Sequence, residues 1–153
     1  MRKTRATKKF LLGTIALARG EAEKARSLFE AELPFARSEL AEAADSPYRH
    51  AQLGLICAYL SKQEEAIAEG ERAVELLPIS KDAVDGPSLE INLAEIYGRV
   101  GEEGKAIALL EKLLSVPNGI HQVELKAWNW DPLRKNPLFQ KLINRPAPKI
   151  VYN

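Results

Sequence analysis

Soft-metal and thiol chemistry has almost nothing to work with in these 153 residues: one cysteine, Cys57, and two histidines, His50 and His121. A lone cysteine forms no disulfide within the chain and excludes a multi-cysteine metal site; two histidines besides do not make up a zinc set. No apolar run approaches the roughly 20 residues that span a bilayer. Charge of one sign is missing too. With 22 Lys+Arg against 21 Asp+Glu the net is +1, so no global field draws the chain onto nucleic acid or a membrane. There is no phosphate-cradling loop, since Gly98, Gly101 and Gly104 bracket a turn with no strand before it. The length suits one domain with a real core, not two.

What the chain does contain is a repeat. LLGTIALARGEAEKARSLFE (11–30), QLGLICAYLSKQEEAIAEGE (52–71) and NLAEIYGRVGEEGKAIALLE (92–111) align, at a spacing of 41 and then 40 residues. Each pairs a leucine with a small residue (Leu12-Gly13, Leu53-Gly54, Leu93-Ala94), and each has an alanine twelve places later: Ala25, Ala66, Ala106. Antiparallel helices that cross closely need small residues at the crossing, because a larger side chain drives the axes apart. Polar turns fall between them, with Gly20, Ser61 and Gly101 in equivalent places. Leu53, Ile56, Leu60, Ile67, Val74 and Leu77 then fill the seams of the second pair. Leu93, Ile96, Val100, Ile107, Leu110 and Leu114 do so in the third.

These units resemble the tetratricopeptide repeat, a helix–turn–helix with Leu-Gly-x₂-Tyr, then Ala-x₃-Phe, then a closing proline. Leu53-Gly54, Ala66, Ala73 and Pro78 match in the second unit, where Cys57 and Gly70 replace the tyrosine and phenylalanine. Tyr97, Ala106 and Leu110 match in the third, and Leu12-Gly13, Ala25 and Phe29 in the first. The early tryptophan is absent from every unit, and the period exceeds the usual ~34 residues. The added length sits in connections such as PISKDAVDGP (78–87), which leads into a helix starting near Pro87-Ser88. Residues 51–142 look closer still to the tetratricopeptide tails of some bacterial Ser/Thr protein kinases and winged-helix regulators. The segments 66–87, 92–97, 111–117 and 130–139 carry that likeness. It implies a sensory or adaptor role in bacterial signalling.

The expected fold is therefore all-α: an α-α superhelix of three helical hairpins at about 5–43, 46–78 and 87–116, then a helical cap at 120–143. Residues 1–144 form the single domain and 145–153 an extended tail, since Pro146 and Pro148 forbid helix. Pro34 is expected to kink or split the second helix. An array leaves an apolar face open at its last unit, and AWNWDPLRKNPLFQKL (127–142) is suited to close it. Asp131-Pro132 and Asn136-Pro137 each read as a helix cap followed by a first-turn proline. Leu133, Leu138, Phe139, Leu142 and Ile143 give one greasy side, flanked by Trp128 and Trp130. Both tryptophans read as part of a plug in preference to a ligand-binding aromatic box.

Nothing converges on catalysis. Cys57 falls in a packing slot and reads as an inert thiol. His50 sits near a helix start, and His121 in a polar connection. The carboxylates of EEAIAEGERAVE (64–75) alternate with apolar residues as a solvated helix face does. The chain reads as a non-enzyme without metal, cofactor or small-molecule substrate. Its groove candidates are residues of the first helix of each pair that the hairpin cores leave unclaimed: Tyr48, Arg49, Tyr59, Asn92, Glu95 and Arg99. Some family members hold a peptide carboxylate with paired lysines and asparagines on this wall. Here Ile91 and Glu95 stand in those places, so a mixed-charge groove for a peptide or partner helix is the expectation.

The opening MRKTRATKK puts five basic residues in the first nine. It reads either as the start of an amphipathic helix or, with FLLGTIALA (10–18), as a secretory leader that would give a periplasmic or secreted protein instead of a cytoplasmic one. Nucleic-acid binding through these cations is the alternative function. An open N-terminal edge would also allow a homodimer.

Overall fold

The computed structural model describes residues 6–147 and 149–152. Residues 1–5, which include the first residue of the first expected hairpin and much of the basic opening, lie outside them, as do positions 148 and 153 of the tail. No β-strand occurs among the described residues, and the architecture is all-helical. Six α-helices come in three consecutive pairs. They are α1 (Lys8–Ala18) with α2 (Ala22–Glu42), α3 (Pro47–Tyr59) with α4 (Gln63–Leu76), and α5 (Gly86–Arg99) with α6 (Glu103–Leu113). Each pair packs on itself, α2 packs on α3, and α4 on α5, with α3 also against α5. Two 3-10 helices, Gln122–Lys126 and Trp128–Leu133, and a last helix α7 (Pro137–Asn144) follow. None of the described helices is long and apolar enough to cross a membrane.

The three turns inside the pairs share one backbone solution. Gly20, Ser61 and Gly101 adopt positive φ (74°, 59° and 88°), which reverses the chain after the helix end. The next residue's N–H then bonds back across the helix end: Glu21 to Ala16 O (2.9 Å), Lys62 to Cys57 O (2.8 Å), Glu102 to Tyr97 O (2.9 Å). Ser61 adopts this conformation although its Cβ disfavours it, because the spacing of the flanking buried residues fixes the turn length.

The small residues sit where the helices touch. A Cβ on Gly54 would lie 3.1 Å from the Gly70 nitrogen, 3.2 Å from the Ala66 carbonyl oxygen and 2.9 Å from Ile96 Cδ1. One on Gly13 would lie 2.7 Å from the Phe29 ring. Ala25, Ala66, Ala94 and Ala106 are wholly buried. Around these crossings one apolar cluster joins α1–α4 through Phe29, Leu53 and Ile56, and Ile96 of α5 reaches into it. A second joins α5 and α6 to the C-terminal segment through Leu110, Leu113, Leu125, Trp130, Leu133, Phe139 and Leu142.

Two devices hold the connections. In the long loop before α5, Asp82 Oδ1 accepts the Val84 and Asp85 N–H groups (2.9 and 2.8 Å), while Gly86 passes so near Ile79 that a Cβ would meet its backbone at 2.8 Å. Pro87 enters in the first turn of α5, as its fixed φ suits. In the cap, Arg134 donates to the carbonyls of Leu125 and Ala127 (3.0 Å each), and Gln122 to those of Leu142 (3.1 Å) and Ile143 (2.8 Å).

Four expectations need correction. Pro34 does not split α2, which runs unbroken over 21 residues. The proline removes one backbone hydrogen bond, but Phe29 and Leu33 before it and Ala36 after it are buried and keep the helix continuous. Asp131 does not cap a helix: it lies inside the 3-10 helix Trp128–Leu133 and accepts from Arg134 at 2.9 Å. Only Asn136 caps as expected, its side chain taking the Leu138 N–H at 2.9 Å. Leu138 is 57% exposed, since α7 turns Phe139 and Leu142 inward instead. Finally, several carboxylates of 64–75 are more than a solvated face. Glu65 pairs with Arg37 (2.8 Å), Glu69 with His50 (2.5 Å), and Glu71 accepts from Tyr97 (2.8 Å). The described tail residues form neither helix nor strand, and the Val151 N–H bonds Ser115 O at 3.2 Å.

Candidate functional site

Helical spacing aligns Tyr48, Gln52, Leu55 and Tyr59 along α3, and Ser88, Asn92, Glu95 and Arg99 along α5. The structure divides the wall these two rows form into a covered half and an open half.

The covered half lies at the C-terminal ends of α3 and α5. The 3-10 helix Trp128–Leu133 packs on α5 and reaches α1, laying Trp128 and Asn129 over the wall. Tyr59 donates its hydroxyl to Glu95 Oε1 at 2.7 Å, and Asn129 Nδ2 donates to Glu95 Oε2 at 3.2 Å. The Arg99 guanidinium lies 5.5 Å from the Tyr59 ring centre and 5.4 Å from that of Trp128, and donates to the Trp128 carbonyl at 3.3 Å. Phe29 stacks beneath Tyr59 at 4.7 Å. Arg99 Nε is 4.0 Å from Glu95 Oε1, which makes a Coulombic pair without a hydrogen bond, and Nε is left buried and unpartnered.

Burial sets the electrostatics here. It holds the Glu95 carboxyl above the usual carboxylate range, against three weaker opposing pulls: the Tyr59 hydroxyl, the Arg99 charge and the Asn129 amide. Burial, and then Glu95 itself, pushes the Tyr59 phenol well up. Two of the three charges read as groove features thus face each other beneath the chain's own tryptophan, Glu95 buried and Arg99 partly so.

The open half is a cleft of about 270 Å³ between the starts of α1, α3 and α5. Phe10, Leu55 and Leu89 give it apolar lining, and Tyr48, Gln52, Ser88 and Asn92 its polar edge. Tyr48 donates to Asp85 at 2.7 Å, and Ser88 to the Asp85 carbonyl at 2.7 Å. The side-chain amides of Gln52 and Asn92 form no hydrogen bond within the described residues. Among the described residues no charged side chain lines this cleft, and of the three charges expected on the wall Glu95 and Arg99 lie under the cap while Arg49 pairs with Glu39.

Of the six candidates, then, Tyr59, Glu95 and Arg99 are brought together under the cap, while Tyr48 and Asn92 line the cleft. Arg49 belongs to neither. It points across to α2, where it meets the Glu39 carboxylate at 3.3 Å and the Glu39 carbonyl. Gln52 and Leu55 follow Tyr48 at four and seven residues, a spacing that marks them on the same face. Trp128 and Asn129 had no comparable signal, because their place depends on how the cap folds back.

His50 is a packing residue, with Nδ1 at 2.5 Å from Glu69 and Nε2 donating to the Ala44 carbonyl at 2.8 Å. His121 caps a 3-10 helix through its backbone N–H to Glu124. No group of metal-ligating side chains gathers among the described residues. Cys57 is fully buried, and desolvation, then Glu65, pushes its thiol up to about 12 from 9.0. Since the thiolate is the nucleophile, maleimide labelling of the folded protein near neutral pH is expected to run about a thousandfold slower than that of a free cysteine. It should recover fully in denaturant, with mass spectrometry counting one adduct; prompt labelling of the folded chain would contradict this burial. Scanned against family models, curated proteins and solved structures, the chain matches none of them.

Proposed function

We propose that this chain is a tetratricopeptide-like superhelical module that binds an uncharged, extended peptide segment, as an adaptor or as the sensory part of a bacterial signalling system. The observation that carries the reading is the cleft between α1, α3 and α5, with Phe10, Leu55 and Leu89 beside the unengaged amides of Gln52 and Asn92. Such amides suit the alternating N–H and C=O groups of an extended backbone, and the apolar residues suit one side chain set between them. Three turns of like geometry at repeat spacing support the superhelical arrangement, and they leave the first helix of each pair to line one wall. The role in this reading is non-catalytic.

A displayed library of random peptides, panned on the full chain, tests this. Selected peptides are expected to be poor in charge. Gln52→Ala and Asn92→Ala should each weaken them by about tenfold, the value of one hydrogen bond in an otherwise desolvated site. Failure to select any peptide, or peptides indifferent to both substitutions, would remove this surface as the binding site.

A further inference from the structure

Helix α1 has two apolar faces, and only one of them is used. Gly13 and Ala16 are buried, and Phe10 and Leu17 pack against the same cluster. On the opposite arc Leu11, Leu12 and Ile15 are 50%, 39% and 46% exposed. At 100° per residue Lys8 and Arg19 fall on that same arc, one at each end, so the free face is an apolar centre between two cations. Residues 1–20 contain six basic and no acidic side chains, while the remainder carries sixteen basic against twenty-one acidic. Phe35, itself half exposed, borders Lys8 and Lys9.

The two lysines at the start of α1 gain nothing from the helix dipole. Lys8 and Lys9 stand in its first turn, where the dipole favours negative charge, and that turn has no acidic residue to offset them. Pairing α1 with α1 of a second copy would set Lys8 against Arg19 in the antiparallel arrangement and like ends together in the parallel one. Nucleic acid would meet the charge but leave Leu11, Leu12 and Ile15 without use. An apolar stripe flanked by lysine and arginine complements an anionic lipid surface, where the aliphatic side chains enter the acyl boundary and the cations stay among the headgroups. The geometry points to α1 as an interfacial helix that docks this protein flat on an anionic bilayer, with the acidic bulk of the chain turned away.

Co-sedimentation of the full chain with vesicles of phosphatidylcholine alone, and of phosphatidylcholine with phosphatidylglycerol, tests the assignment. Binding is expected to the anionic vesicles only and to weaken as salt rises. Both the double variant Leu11→Ser/Ile15→Ser and the double variant Lys8→Glu/Lys9→Glu should lower it by at least about tenfold. All four positions are exposed, and an unchanged thermal midpoint confirms that the fold is intact; Arg19→Glu provides a second charge variant. Three results would each overturn the proposal. One is no binding to anionic vesicles, and another is vesicle binding that survives the serine variant. The third is that duplex DNA or a second copy takes the face instead, read as retardation that the serine variant keeps or as a dimer that it abolishes.

Discussion

Gly54→Leu should cost at least about 3 kcal/mol of stability in a denaturant titration, a large share of the roughly 5–15 kcal/mol that holds a domain folded. The reason lies in what surrounds the site. An added Cβ would already stand 3.1 Å from the Gly70 nitrogen and 3.2 Å from the Ala66 oxygen, and these are backbone atoms that no rotamer change can move. A leucine adds three more carbons in the same gap, so α3 and α4 must part, and the wholly buried Ala66 and Ile56 lose contact with their neighbours. Helix propensity acts in the other direction, favouring a non-glycine residue by up to ~1 kcal/mol. At Gly54 the clash therefore outweighs propensity.

The milder Gly54→Ala separates the two effects. Its worst contact is Ile96 Cδ1, at 2.9 Å from the new Cβ, and the same methyl stands 2.7 Å from where a Gly70 Cβ would be. Ile96→Val removes that methyl and alone should cost about 1 kcal/mol. In the Ile96→Val background Gly54→Ala should cost about 1 kcal/mol less than in the wild type, a coupling read by double-mutant cycle, with the two backbone contacts of the new Cβ setting what remains. Strict additivity would show that Ile96 does not close the α3–α4 crossing.

This crossing is also where the sequence was most informative. Leu12-Gly13, Leu53-Gly54 and Leu93-Ala94, each with an alanine twelve residues on, encode contacts between neighbours in the chain, and local contacts leave periodic traces. Gly20, Ser61 and Gly101 could be placed for the same reason. The cap was half legible. Trp130, Leu133, Phe139 and Leu142 announce themselves as apolar, and Asn136-Pro137 as a helix start. That Trp128 and Asn129 lie on Tyr59, Glu95 and Arg99 is a contact between residues about 30 to 70 positions apart, which no period encodes. For that reason Glu95 and Arg99 look like surface charges in the sequence until the tryptophan lying over them is seen. Arg49 departs from the wall more simply, because one helical position turns it from the α3 row toward Glu39 of α2.

Arg99→Met should be costly at neutral pH and nearly tolerated in acid. Methionine keeps the packing volume against Tyr59 and Trp128 but leaves Glu95, 5% exposed, with no counterion. Removing one partner of a buried pair typically costs about 3–5 kcal/mol. Here a ceiling applies, because Glu95 can take up a proton. Holding a carboxyl of ordinary pKa ~4.3 neutral at pH 7 costs about 3.7 kcal/mol, at 1.36 kcal/mol per pH unit. The sign follows from Glu95's position above the usual carboxylate range. A carboxyl raised by folding contributes stability that is complete below its unfolded pKa and is lost as pH rises through the folded value. Without Arg99 the folded value climbs further, so the loss deepens toward neutrality. The difference between wild type and variant is expected to be about 3 kcal/mol near pH 7 and to shrink below about 1 kcal/mol near pH 4. Glu65, which Arg37 holds below the usual range, runs the opposite way but is common to both proteins and cancels. Denaturant titrations at several pH values, read by Trp128 and Trp130 fluorescence, measure the difference. One that stays flat from pH 4 to 8 would mean that Glu95 gains nothing from Arg99 and that the guanidinium serves the two aromatic rings alone.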